Sequence, residues 1–134
     1  MPFFLKLKKR KDFIRTAKFG FSVATRSIVI QAILQKEIKT EKARIGYTTT
    51  KKIGKANIRN RCRRRLRAVA ALFFEKLALQ NADYVLIARY NTANINFIDL
   101  CSDFQNGIKK INKLLNGETN CVQQNNKTPI SDID

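Results

Sequence analysis

The chain has no histidine, so the side chain that most readily trades a proton near neutral pH is absent. Carboxylates are scarce as well, ten Asp and Glu against twenty-seven Lys and Arg. Within the predicted helices, only Asp99 and Asp103 stand one turn apart. Such a pair can hold a metal ion, but an exposed turn of helix is the simpler reading. Cys62, Cys101 and Cys121 are odd in number and form no C-x-x-C pair, which argues against a disulfide framework and a tetrahedral zinc site and fits a reducing cytoplasm. Cys62 falls within an apolar helical stripe, where a thiol packs instead of attacking. Nothing approaches the length of a membrane span. The apolar run Phe3-Phe4-Leu5 is too short for the core of a signal peptide. With no self-sufficient nuclease or hydrolase site, the chain reads as a binding protein.

What is abundant is positive charge. The formal net charge is +17, and it is concentrated. Residues 1–20 hold seven basic and one acidic residue, and residues 44–68 hold ten basic and none acidic. A surface of this kind repels itself unless a polyanion screens it. Nucleic acid is the leading partner, because regularly spaced phosphates let a basic face release several counterions at once. A length of 134 residues with 44% apolar content suits a single domain.

The patterning predicts a short helix over Arg10 to Phe19 that stops at Gly20. Ser22 to Gln35 reads as strand, broken near Thr25-Arg26, with Ile28, Ile30, Ala32 and Leu34 on one face. Lys36 to Lys42 turns the chain into a strand over Arg44 to Thr50. From Lys55 to about Leu79 the period becomes helical, with Ile58, Cys62, Leu66, Val69, Phe73 and Leu77 in one stripe. Asp83 to Tyr90 is a buried strand containing Tyr84, Val85, Leu86, Ile87 and Ala88, with Tyr84 and Tyr90 as strand residues and one edge open to exposure. Asn96 to Leu115 is a final helix with Phe97, Leu100, Phe104, Ile108, Ile111 and Leu115 aligned. The expected fold is α+β in residues 1–115, a mixed four-stranded sheet with two helices on one face and a short N-terminal helix, followed by a polar, disordered tail over residues 116–134.

The densest information lies in the segment from Arg44 to Arg67. On a helical wheel Asn60, Arg63, Arg64 and Arg67 point away from the apolar stripe, Arg59 flanks one side, and Arg61 and Arg65 flank the other. Uncompensated positive charges at i,i+4 destabilise a helix, so the array implies a use. Arginine forks donate paired bonds to phosphate and stack on bases. Lys51, Lys52 and Lys55 add charge at the helix start, where backbone N–H groups are free.

This segment resembles the signature of the bacterial ribonuclease P protein subunit: a strand ending in Lys-Lys-x-Gly, then a helix bearing Arg-Asn-Arg. The matching residues are Arg44, Gly46, Lys51, Lys52, Gly54, Ala56, Arg59, Asn60, Arg61, Arg63, Arg64 and Arg67. Weaker matches at Asp12-Phe13, Gly20 and Ile87-Ala88-Arg89 extend the likeness over about residues 10–115. The resemblance implies a left-handed β-α-β crossover, an exception to the usual hand, in a fold shared with a ribosomal protein domain. It also implies that Lys51, Lys52, Lys55, Arg59, Asn60, Arg61, Arg63, Arg64 and Arg67 bind a catalytic RNA subunit. The 5′ leader of precursor transfer RNA would lie in a cleft lined by Phe13, Val29, Gln31 and Thr48. Cleavage would belong to the RNA, with Mg2+ held there and no cofactor on the protein alone. Two cleft positions often aromatic in that family are Ala17 and Gln31 here, with Phe19 or Phe21 as alternative aromatics and Phe13 itself open to a packing role. The rival expectation is a ribosomal or other structural RNA-binding protein without a part in cleavage. DNA is disfavoured, since no second helix precedes the basic one at helix-turn-helix spacing. A membrane partner is disfavoured because the apolar stripe matches a sheet.

Overall fold

The computed structural model describes residues 5–35 and 42–120. The elements run β1 (Leu5–Lys6), α1 (Arg10–Phe19), β2 (Phe21–Ala24), β3 (Ile28–Leu34), β4 (Arg44–Thr48), a 3-10 turn (Lys51–Ile53), α2 (Ala56–Leu77), β5 (Ala82–Ala88) and α3 (Phe97–Asn120). The strands form one mixed sheet in the order β1-β4-β5-β3-β2. It has one strand more than the four expected, because β1 pairs only Leu5 and Lys6 beside Arg44 and Ile45, too short a run to show an alternating pattern. The break near Thr25-Arg26 is the tight turn of the β2–β3 hairpin, closed by the backbone and hydroxyl of Thr25 on Ile28.

Alternation on the strands assigns the two faces. Ile28, Ile30, Ala32, Ile45, Tyr84 and Leu86 point into the core. Against them α2 places Cys62, Leu66, Val69, Ala70 and Phe74, and α3 places Leu100, Phe104, Ile108, Ile111 and Leu115. Full burial of each such Leu, Ile or Phe stabilises the fold by about 1.5–3 kcal/mol. The Phe74 and Tyr84 rings meet edge to face with centroids 5.1 Å apart. Beyond them the Tyr84 hydroxyl donates to Asn112 Oδ1 at 2.6 Å and accepts the Leu79 N–H at 2.8 Å. Asn112 in turn donates to the Leu77 carbonyl at 2.7 Å, fastening the end of α2 to α3. The Cys62 thiol lies in this core, and burial raises its pKa against the opposing pull of Arg65, Arg61 and Arg63. It stays protonated and packs, as the stripe implied.

Three expectations are corrected. Ile58 opens the predicted stripe but is exposed, lying beside Gly54, where an added Cβ would come within 3.2 Å of its side chain, and outside the core cluster under the sheet. The last helix runs to Asn120, five residues beyond Leu115. Asp99 and Asp103 are not a bare solvated turn. Asp103 is buried, accepting two bonds from Arg26 at 3.1 and 2.9 Å and one from the Ser27 hydroxyl at 2.6 Å, while Asp99 lies 3.9 Å from Arg26. Most of the predicted turn at Lys36 to Lys42 and the tail beyond residue 120 fall outside the described residues.

Candidate nucleic-acid interface

The helix that bears the arginines starts at one end of the sheet. β4 and β5 are parallel neighbours joined through α2, so the start of α2 and the residues after β5 emerge at the same end. The 3-10 turn carries Lys51 and Lys52, and Gly54 follows at φ 148°, a conformation that favours glycine. A lysine-lysine-x-glycine sequence thus delivers both lysines, exposed, at the mouth of the helix. The N-cap residue Lys55 makes no side-chain cap bond, and the first turn holds no acidic residue. Free N–H groups and nearby ammonium groups favour an anion there.

Along α2 the arginines divide into three rows. Toward β4, Arg59 donates to the Gly54 carbonyl at 2.8 Å. In the same row Arg63 donates to Thr49 Oγ1 at 2.6 Å and Asn60 Oδ1 at 3.0 Å. Arg67 lies over the Tyr47 ring, 5.7 Å from its centroid. Burial raises the Tyr47 pKa to about 12 despite Arg67, so its ring stays neutral and able to attract a cation. Toward α3, Arg61 donates to the Ala93 carbonyl at 2.7 Å, and Arg65 donates to the carbonyls of Thr92, Ala93 and Ile95. Asn60 and Arg64 lie between these rows, facing solvent. Among the described residues, none of the five arginines from Arg59 to Arg67 that match the signature pairs with a carboxylate.

Arg65 flanks the apolar stripe on the same side as Arg61, as the helical wheel places it, and the structure adds what it meets there. It is partly buried and tied to the loop after β5, its guanidinium pKa lowered by burial and by Arg61. A helical wheel gives its direction but cannot show the loop that folds back onto it.

The other face of the sheet carries α1. A Cβ added to Gly46 would come within 2.5 Å of Phe13 Cζ, so Phe13 sits on the bare backbone of β4. Registry then lines up Thr48, Ile87 and Val29 across three strands, with Gly46, Val85 and Gln31 in the next row. Phe13, Gln31, Thr48 and Ile87 are half-buried, whereas Val29 retains only 7% of its exposure. The expected cleft residues therefore gather on one surface, with Ile87 added because strand pairing puts it between Thr48 and Val29. Of the alternative aromatics, Phe21 is in the core and Phe19 is exposed at the end of α1. At the far end of this face Asp83 accepts bonds from Arg44 at 2.8 and 2.6 Å and from Gln35 at 2.9 Å. Arg44 also reaches Asp12 at 3.5 Å and Arg15 reaches Asp83 at 3.9 Å, so ionic contacts hold α1 on the sheet.

A family model described as Ribonuclease P matches residues 1–112. This chain belongs to the ribonuclease P protein family. It is 38% identical over 105 residues to the Ribonuclease P protein component of Gluconacetobacter diazotrophicus, covering 78% of this chain and 89% of that one. To that of Bacillus velezensis it is 35% identical over 105 residues, covering 78% and 87%. The structure superposes on the RNase P protein of Staphylococcus aureus with a TM-score of 0.62 at 29% identity, over 81% of this chain and 93% of that one. The RNase P protein of Thermotoga maritima shares the fold, with a TM-score of 0.67 at 24% identity over 79% and 96%.

For a ribonuclease P protein, the two surfaces divide by chemistry. The α2 face offers guanidinium forks suited to phosphate, and the α1 cleft offers one ring and small polar groups beside the apolar side chains of Val29 and Ile87. Among the described residues no three His, Cys, Asp or Glu side chains cluster, and no helix is long and apolar enough to cross a membrane.

Proposed function

We propose that this chain is the protein subunit of ribonuclease P, binding the catalytic RNA through α2 and the 5′ leader of precursor transfer RNA in the α1 cleft, to promote 5′ maturation by endonucleolytic cleavage. The observation that carries this reading is the α2 array of arginines without carboxylate partners, on a fold and family that join it to Phe13 and the open sheet face. Lys51, Lys52, Lys55, Arg59, Arg61, Arg63, Arg64 and Arg67 would neutralise RNA phosphates, the arginines fixing register through their forked bonds, with Asn60 adding a donor and an acceptor within the cluster. Phe13 would stack on a leader base, with Gln31, Thr48 and the adjoining Val29 and Ile87 forming the floor. With only one aromatic at the positions named, leader binding has less stacking to draw on, each stacked base contributing about 1–3 kcal/mol. The chemical step and its Mg2+ ions would belong to the RNA. The site of action would be the cytoplasm.

The test is cleavage of end-labelled precursor transfer RNA at low magnesium by a bacterial ribonuclease P RNA, with and without this protein. Stimulation is the expected result. RNA binding without stimulation would instead favour a structural RNA-binding role, as in ribosome assembly.

A further inference from the structure

Tyr90 is 77% exposed, the most exposed of the large apolar side chains among the described residues. It follows β5 by two positions, at the sheet end where α2 begins. An isolated surface aromatic is unremarkable in itself. The setting of this one is specific, because the loop that bears it is braced on three sides. Thr92 is fully buried. Its hydroxyl accepts the Arg89 N–H at 2.7 Å and donates to the Ser27 carbonyl at 2.7 Å. Backbone bonds from Thr92 to Arg89, and from Asn94 and Ile95 to Asn91, close the turns on either side. Arg61 and Arg65 donate to the Thr92, Ala93 and Ile95 carbonyls. The loop is thus an extension of the basic helix, and its ring is presented to solvent from a fixed backbone.

We propose that Tyr90 is a stacking platform for an unpaired base of the RNA whose phosphates the α2 arginines bind. Every base has a flat face, so one ring adds affinity without reading sequence. A tyrosine has few rotatable bonds to fix, and a braced loop lowers the ordering cost further. Arg61 thereby acquires a role besides direct contact with RNA, and Arg65 acquires one of its own: they hold the platform. This inference rests on the RNA-binding reading above and adds to it a contact outside the Arg-Asn-Arg helix.

The experiment is equilibrium binding of a labelled bacterial ribonuclease P RNA by the full chain and by Tyr90→Ala, Tyr90→Phe and Tyr90→Leu, over a range of salt. Tyr90→Ala and Tyr90→Leu should each weaken binding about tenfold, or 1.4 kcal/mol, and Tyr90→Phe should bind within about twofold of the parent. The salt slope should be unchanged in all three, because no phosphate contact is lost. Thermal unfolding should match the parent, since the ring is exposed. Equal affinity of Tyr90→Ala and the parent would overturn the platform while leaving the RNA-binding reading intact. A loss in Tyr90→Phe as large as in Tyr90→Ala would replace stacking with a hydroxyl bond and would also overturn it. Failure of the parent chain to bind the RNA would remove both readings.

Discussion

Replacing Asp83 with Asn tests how α1 is held on the sheet. The Asp83 side chain is 0% exposed and accepts three hydrogen bonds, two from Arg44 and one from Gln35. Removing one member of a buried ion pair typically costs about 3–5 kcal/mol, because the other charge is left uncompensated. Asp12 remains 3.5 Å from Arg44 and offsets part of that loss, which places the expected value near the lower end, about 3 kcal/mol. For a domain of this size that lowers the melting temperature by roughly 10 °C. Denaturant unfolding supplies the free energy, and hydrogen exchange supplies the location, with amides of residues 10–19 losing protection first. Repeating Asp83→Asn in an Arg44→Gln background isolates the pair. A loss under about 1 kcal/mol, or the same loss in both backgrounds, would refute the argument that this buried pair anchors α1.

Arg59→Lys together with Arg61→Lys preserves the net charge, yet should weaken RNA-subunit binding by about 1–3 kcal/mol, since lysine cannot reproduce the fork. Arg10→Lys, exposed on α1 and outside the residues assigned to RNA, is the control. Equal losses would mean a generic basic face. Phe13→Ala should reduce the preference for leader-bearing precursor over mature transfer RNA in filter binding; a fall in melting temperature with unchanged preference would assign Phe13 to packing alone. Gly46→Ala should have a similar effect by a different route, since the new methyl would displace the Phe13 ring, with about 1–3 kcal/mol of destabilisation in denaturant unfolding. Asp103 sets a pH dependence. Burial raises its pKa, but bonds from Arg26 and Ser27 outweigh burial and hold it below the usual carboxylate value. A depressed folded-state pKa contributes stability above the unfolded value that is lost as pH falls through the folded one. The stability gap between the parent and Asp103→Asn should therefore be open at neutral pH and close in acid. A gap independent of pH would remove Asp103 from that account.

The sequence by itself determined the elements and their faces. Steps of three and four at Cys62, Leu66 and Val69, or at Leu100, Phe104 and Ile108, and alternation at Ile28, Ile30 and Ala32, are consequences of backbone geometry that any chain with this pattern must satisfy. The arginine helix was legible for the same reason, since ten basic residues over 44–68 without an acid can be counted directly. Cys62 as a packing group followed from its stripe. What stayed hidden depended on partners far along the chain. The placement of α1 on the opposite face rests on Phe13 meeting the bare Gly46 backbone and on Asp83 meeting Arg44. The burial of Asp103 rests on Arg26, 77 residues away. The partners of Arg65 are carbonyls at Thr92, Ala93 and Ile95, and the same bonds fix the loop that exposes Tyr90. Local periodicity tells which way a side chain points, whereas what waits there, a carboxylate, a carbonyl or water, is decided only when the chain folds back on itself.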